Sequence, residues 1–271
     1  MMILEKEKKE LSIIIVNYKS EPYLEKCLLS FLGEKLSKIN FEIIIVNNDK
    51  NADLNWISKK FPHTFIINSP QNKGFGAGNN LGAKMARGEL IFFLNPDTEV
   101  EKVDFEKIFL LFQKDCFLGV LGVGVISFLG EFQKWIFGEE IGFWNLLKNN
   151  LKFFSSKNKQ DYNKIQKTDW VSGVAFFIRK KTFFEIGGFD ENFFMYFEDM
   201  DLCRRIRLAG KKVLYYPKFL VKHRGGQSYF CKKDQKRDYY KSQRYYFLKH
   251  KGKIQTLILR WGEFFVMRLG I

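Results

Sequence analysis

The run Ile91-Phe92-Phe93-Leu94 ends abruptly in Asn95-Pro96-Asp97, and no other stretch constrains the chain as tightly. Four consecutive apolar residues read as a strand buried on both faces. Proline has no N–H to give to a sheet ladder, so the strand stops there. The stop leaves one carboxylate, Asp97, at the carboxyl end of a central strand. That edge is where open α/β sheets bind ligands.

The stretches before it follow one rhythm. Leu11 to Asn17 (LSIIIVN), Phe41 to Val46 and Thr64 to Asn68 read as strands. Ser20-Glu21-Pro22 opens a helix with Leu24, Cys27, Leu28 and Phe31 on its apolar face, and Asp53 to Lys60 forms a short one. A glycine-rich turn, Asn72 to Asn80, leads into a helix that ends near Arg87-Gly88, before the strand Leu90 to Leu94. This alternation predicts an α/β fold: a mostly parallel sheet covered on both faces, built from right-handed βαβ units. Beyond Asp97 the expected elements are a helix over Val103 to Gln113, an extended stretch Phe117 to Phe128 and a strand Trp170 to Arg179. A short helix Lys180 to Ile186, a helix Glu198 to Ala209 and a last short strand Lys211 to Tyr216 follow. Two helices, Lys233 to His250 and Ile254 to Leu269, close the chain, and Ser155 to Asn163 is expected to be mobile.

A chain of 271 residues with 30 Phe can build one sizeable core. It has no apolar run long enough to span a bilayer, and Met1 to Glu10 is a charged lead-in rather than a signal peptide, which predicts a cytoplasmic protein. Cys27, Cys116, Cys203 and Cys231 are scattered and read as packing residues. From Asp201 onward there are 19 Lys+Arg against 4 Asp+Glu, a net +15. The total is 45 against 30, so the first 200 residues hold 26 of each sign and are neutral. A basic quarter on a neutral body points to an anionic partner, with nucleic acid and an anionic membrane surface as candidates.

Three groups of residues could carry chemistry. Gly74-Phe75-Gly76-Ala77-Gly78 follows the third strand, not the first, and lacks dinucleotide-fingerprint spacing. It is either a bare turn needing glycine freedom or a turn approached by a ligand, with Lys73 beside it able to meet a phosphate. Glu198, Asp199 and Asp201 open a helix, where its dipole favours negative charge in any case. The wall Phe193 to Phe197 before them would raise a carboxyl pKa and make a general base. Of the three histidines, His63 and His250 read as surface residues, while His223 sits in the loop Lys222 to Ser228. Imidazole with carboxylate suits Mn²⁺ better than Mg²⁺.

With these residues in view, the chain resembles a family 2 glycosyltransferase of the GT-A fold, close to the bacterial rhamnosyltransferase-like branch. Five motifs carry the resemblance in order, from about Leu11 to about Ser228. They are Ser12 to Tyr18, Asn72 to Asn80 (NKGFGAGNN), Leu94 to Asp97, Gly187 to Glu191 with Phe194 to Arg204 (FMYFEDMDLCR), and His223 to Ser228. The resemblance implies a GT-A-type Rossmann-like domain over 1–230 and a basic, amphipathic helical extension over 231–271. It implies a donor site of Asn17, Tyr18, Asn47, Asn72, Lys73, Gly74, Asn79, Asn95 and Asp97. Asp97 and His223 would hold a divalent metal, Mn²⁺ or Mg²⁺. Asp199 would be the catalytic base, and Glu198, Trp170, Ser172 and Gly173 would bind the acceptor.

Two departures stand out. Asn95 replaces the first carboxylate of the usual Asp-x-Asp, and Asn47 replaces the Asp of a usual Val-Asp-Asn. The implied reaction inverts the sugar's configuration. The donor would be dTDP-rhamnose or another dTDP- or UDP-sugar, and the acceptor a hydroxyl of a glycan or lipid-linked glycan in cell-surface polysaccharide synthesis. Ile254, Leu257, Ile258, Trp261, Phe264 and Phe265 fall on one helical face, with Lys253, Arg260 and Arg268 available to the other. That pattern suits either the inner face of the plasma membrane or the domain's own core. A nucleotidyltransferase, a non-catalytic sugar-nucleotide-binding homologue and a nucleic-acid-binding protein are the rival readings. The first lacks its Lys/Arg-rich loop after the first strand, and the last lacks a recognition motif.

Overall fold

The structure is a computed structural model. It describes residues 9–32, 36, 39–140, 142, 161–225 and 231–269, with residues 31, 232 and 262–269 described by backbone alone. The first half runs β1 (Lys9–Asn17), α1 (Glu21–Phe31), β2 (Phe41–Asn47), α2 (Asn55–Lys60), β3 (Thr64–Asn68), α3 (Phe75–Met85), β4 (Gly88–Leu94), β5 (Thr98–Lys102), α4 (Phe105–Lys114) and β6 (Leu118–Ile126). The second runs β7 (Phe137–Gly138), β8 (Gln166–Lys167), β9 (Trp170–Val171), β10 (Ala175–Arg179), α5 (Lys180–Glu185), α6 (Glu198–Leu208), β11 (Lys212–His223), α7 (Lys232–His250) and α8 (Lys253–Leu269).

Among the described residues nine strands form one sheet, ordered β3-β2-β1-β4-β10-β6-β11-β5, with β8 also paired to β11. Six point one way; β5, β8 and β10 oppose them. The sheet is therefore mostly parallel and flanked by helices. The chain winds outward from β1 to β3, then crosses through α3 to β4 on the other side of β1. That reversal makes a switch point between β1 and β4. Phenylalanines knit β4 to β10: Phe92 and Phe177 are register partners whose rings stack at 4.1 Å. Helix α3 lies close on β1 because its glycines allow it. A Cβ on Gly82 would stand 2.6 Å from Ile14 Cγ2, and one on Gly78 2.8 Å from Val16 Cγ1.

The first four strands and their helices fall where the sequence predicts. Three later features differ. The expected strand Trp170 to Arg179 is two strands, β9 and β10, separated by a turn at Ser172–Val174. The last strand is not short: β11 runs twelve residues through Pro217, with irregular register, to His223. Strand β5, alternating Thr98-Glu99-Val100-Glu101-Lys102, was not expected at all, and its Thr98 pairs with His223. Most of the segment expected to be mobile, 155–160, lies outside the described residues, as do Gly226 to Ser228.

Helices α7 and α8 pack on the body of the protein. Tyr246, Phe247 and Leu259 bury against Phe193 and Phe197, just ahead of α6. Ser242 Oγ donates to the Met195 carbonyl at 2.7 Å, and Gln235 Nε2 donates to Tyr196 Oη at 2.8 Å. The last turn of α7 reaches a carboxylate with no exposed surface: Asp201 Oδ1 takes Lys249 Nζ and His250 Nε2, each at 2.7 Å. Its Oδ2 takes Arg205 Nε at 2.8 Å. His250 is thus not the surface residue that its sequence neighbours suggested. Burial pushes its imidazole down, so it donates as the neutral ring beside the charged Lys249. Lys249 also reaches Asp190 Oδ2 at 2.7 Å. A buried carboxylate that loses a partner pays a desolvation penalty. Lys249→Met is expected to destabilise the fold by about 3 kcal/mol, the lower end for an opened buried pair because Arg205 and His250 remain. Urea midpoints of the variant and the parent measure this; equal midpoints would mean that Lys249 contributes nothing to the docking.

Candidate functional site

The sheet brings its chemistry to one edge. Six parallel strands end there, and the opposed β5 and β10 begin there. Pairing of His223 with Thr98 sets the β11 terminus beside Asp97, and Asp97 Oδ1 lies 3.4 Å from His223 Nε2. The Arg224 N–H donates to the Asp97 carbonyl at 3.2 Å, and the Gly225 N–H donates to Asp97 Oδ2 at 3.3 Å. Gln133 then fixes the imidazole. Its Nε2 donates to the His223 carbonyl at 2.6 Å, which turns its Oε1 to Nδ1 of the same residue at 2.9 Å. An amide oxygen only accepts, so Nδ1 carries a proton, and Nε2 is the ring nitrogen turned toward Asp97. That nitrogen and the Asp97 carboxylate are both groups that ligate divalent cations. Asn95 Oδ1, nearby in the chain, is buried without a partner. Carboxylate, imidazole and amide oxygen together fit a divalent metal. No group of three His, Cys, Asp or Glu side chains converges among the described residues, so a bound diphosphate would have to complete the shell. Sequence reasoning missed Gln133. Nothing in its sequence neighbours, Glu131 and Lys134 among them, marked it out.

The second group is Glu198 and Asp199, at the start of α6. Asp199 Oδ2 accepts the Gly173 N–H at 2.9 Å, and its Oδ1 accepts the Met200 N–H at 2.8 Å. Burial raises the Asp199 pKa, and those N–H groups pull it back. Burial raises Glu198 much further, and the Asp199 charge beside it adds to the rise. Glu198 Oε2 is buried without a partner. The pair therefore separates into a more readily ionised Asp199 and a Glu198 that holds its proton more tightly. Just before them, Tyr196 and Phe197 hold left-handed backbones, φ 69° and 67°. Such residues cost about 1–3 kcal/mol each and persist only where their surroundings enforce them. Here α7 does so, through Gln235 on Tyr196 and the rings of Tyr239 and Tyr246 on Phe197.

The expected donor residues divide. Asn17, Asn47 and Asn68 are register partners at the ends of β1, β2 and β3. Asn17 Nδ2 donates to Asn47 Oδ1 at 3.0 Å, and Asn47 Nδ2 donates to Asn68 Oδ1 at 3.1 Å. Asn47 also donates to the Ala52 carbonyl and accepts the Asp49 N–H, so its amide is saturated. Asn72 Oδ1 accepts the Gly74 N–H at 3.0 Å and Asn48 Nδ2 at 3.3 Å, and Asn79 Nδ2 donates to the Phe75 carbonyl. Gly74 adopts φ 97°, and a Cβ there would stand 2.1 Å from the Phe194 carbonyl oxygen. The glycine turn's close approach is thus to the loop ahead of α6. Tyr18 is half-buried at the edge, and Lys73 is exposed. A cavity of about 430 Å³ opens beside the ends of β2 and β3, lined by Asn47, Lys50, Asn55, Ile66, Asn68 and Pro70 among others.

One expected acceptor contact is corrected. Trp170 offers no ring face to a sugar: it is 4% exposed within the core, and its Nε1 donates to the Glu139 carbonyl at 3.0 Å. Strand β9 had to be buried because it pairs with β7 beneath α6. Ser172 and Gly173 do lie in the turn that touches Asp199.

Comparison with known proteins agrees with this geometry. A hexosyltransferase of low-salt glycan biosynthesis, Agl10 of Haloferax volcanii, is 28% identical over 203 residues, which are 73% of this chain and 62% of that protein. The chain thus spans less than two thirds of Agl10. The rhamnosyltransferase WbbL of Escherichia coli K12 is 27% identical over 236 residues, 81% of this chain and 86% of that one. The crystal structure of GalNAc-T7 with UDP, GalNAc and Mn²⁺ superposes with a TM-score of 0.59 at 16% identity, covering 81% of this chain and 44% of that one. Residues 12–187, well over half of the chain, match the family described as Glycosyl transferase family 2, and the chain belongs to that family.

Proposed function

We propose that the chain is an inverting glycosyltransferase that moves a sugar, rhamnose by preference, from a nucleotide-diphosphate donor to a hydroxyl of a glycan or lipid-linked acceptor in cell-surface polysaccharide synthesis. One observation carries the reading. A metal-competent pair, Asp97 with His223, and a split carboxyl pair, Glu198 with Asp199, meet at one sheet edge, the second tied to it through Gly173. Transfer needs a cationic end to receive a leaving diphosphate and a basic end to take a proton. Asp97 and His223 would hold a divalent cation, Mn²⁺ or Mg²⁺, whose charge offsets that on the departing diphosphate. The cavity beside β2 and β3 is of a size for the nucleoside of a dTDP- or UDP-sugar. Asp199 takes the proton of the acceptor hydroxyl as its oxygen bonds to the anomeric carbon and the nucleoside diphosphate leaves with the old bond's electron pair. Glu198, whose carboxyl burial makes harder to ionise, would hydrogen-bond the acceptor. The partnerless Asn95 Oδ1 is free to accept from a donor hydroxyl or face the cation.

The exposed face of α8 supports a membrane-proximal acceptor. Ile254, Leu257, Ile258 and Trp261 face solvent, Ile254 and Trp261 at 76% and 67%, while Leu259 turns inward. Residues 232–261 carry ten Lys or Arg against two Asp. An apolar stripe within so basic a surface suits an anionic bilayer. No helix among the described residues is long and apolar enough to cross a membrane.

Asp199→Asn is expected to lower transfer by a factor on the order of 100 or more while nucleotide-sugar binding stays intact. The parent rate should rise with pH through an acid limb displaced above the range of an exposed aspartate, because burial raises the base's pKa. Since the Asp199 charge helps to raise the Glu198 pKa, the same substitution should leave stability at neutral pH unchanged or higher. Transfer surviving in the variant would remove Asp199 from the base role. For the membrane face, vesicles containing phosphatidylserine should pellet the parent protein but less of a variant with Leu257→Ser and Trp261→Ser. Equal pelleting of the two would sink that docking.

A further inference from the structure

The segment joining β6 to β7 spans the site. At one end Gln133 grips His223 through its carbonyl and its Nδ1. At the other, the Ile136 carbonyl accepts the Ser172 N–H at 2.8 Å, and the next residue, Gly173, donates to Asp199. Residues 133–136 thus run from the metal-facing imidazole to the neighbour of the base. Between these anchors stand Lys134 and Trp135, both exposed. Trp135 is 63% exposed, and its backbone is left-handed, φ 62°.

A single exposed apolar side chain is ordinary. A tryptophan held in water on a backbone that disfavours a Cβ, between two anchors of the same site, is not. Trp170, by contrast, is buried in the core, and the exposed Trp261 sits on α8 with an ordinary helical backbone. The donor's diphosphate end is marked by Asp97 and His223, and the attacking hydroxyl by Asp199. The rest of the acceptor must extend outward from Asp199, and the segment carrying Trp135 is hydrogen-bonded to the turn that holds Asp199.

We propose that Trp135 is the acceptor platform, its indole face taking the apolar C–H face of a pyranose ring and so presenting that ring's hydroxyl to Asp199. The proposal rests on the transferase reading above and names the acceptor class at that site, a glycan ending in a pyranose. A pyranose has one face of C–H bonds and a rim of hydroxyls. Stacking on a flat ring removes the first from water and leaves the second solvated. An indole face selects the ring's flatness but not its hydroxyl pattern, which falls to Glu198 and its partnerless Oε2. Trp135 therefore binds and orients, and takes no proton.

The test is acceptor kinetics with octyl pyranosides (gluco, galacto and N-acetylgluco), read beside donor binding by thermal shift. Trp135→Ala should raise the acceptor KM about tenfold or more with the donor-induced shift unchanged, and Trp135→Tyr should recover most of the loss. An unchanged acceptor KM in Trp135→Ala overturns the proposal. So does a donor shift that falls in step with the acceptor term, which would mark a merely structural role. Failure of the parent to bind any dTDP- or UDP-sugar sinks the transferase reading instead. In that event fluorescence decides the platform alone. Quenching by the pyranosides in the parent and not in Trp135→Phe keeps a sugar-stacking site, and no quenching in either removes it.

Discussion

A carboxylate with no exposed surface is the point on which this site's geometry turns. Asp201 sits two residues beyond Asp199 on the same helix, and burying its charge is tolerable only because Arg205, Lys249 and His250 surround it. Two of those partners come from the far end of α7. Helix α7 is therefore fastened to the helix that carries Asp199, the proposed base. That fastening also explains how two consecutive left-handed residues, Tyr196 and Phe197, survive directly ahead of Glu198. The basic charge of the last quarter thus has an internal use as well as an external one. Lys249 bridges Asp190 and Asp201, while Arg204, Arg207 and Lys251 converge on Glu140.

The sheet accounts for the rest of the arrangement. Because β5 and β10 run against their neighbours, residues distant in sequence begin or end at the same edge: Asp97 before β5, Ser172–Gly173 before β10, His223 at the end of β11. The departures from the family pattern find physical roles here. Asn47 gives both amide protons, to Ala52 and Asn68, which a carboxylate could not do. Asn95 keeps an unpaired oxygen where the pattern has a charge, so in the proposed site the burden of holding a cation would shift to Asp97, His223 and the donor's own phosphates.

Local signals made much of this legible. β-branched runs, a proline stop and glycine turns placed the first four strands and the edge at which they end. Ordered motifs pointed to Asp97, Asp199 and His223. What escaped depended on contacts between distant segments. Strand β5 is a short alternation that only pairing with β11 makes a strand. Gln133 is 90 residues from the histidine it orients. His250 looked like a surface residue because its partner, Asp201, lies 49 residues away. Trp170 was expected to meet the acceptor, and only its burial under α6 shows that its ring faces the core.

The central claim is that this edge holds a nucleotide sugar through a cation on Asp97 and His223. Melting curves with a panel of dTDP- and UDP-sugars, each with Mn²⁺ or with EDTA, test it most directly, because a ligand that binds only the folded state raises the melting temperature by mass action. The account predicts a shift for one nucleotide that needs the metal and disappears in Asp97→Ala. A shift indifferent to EDTA, or retained in Asp97→Ala, would contradict it.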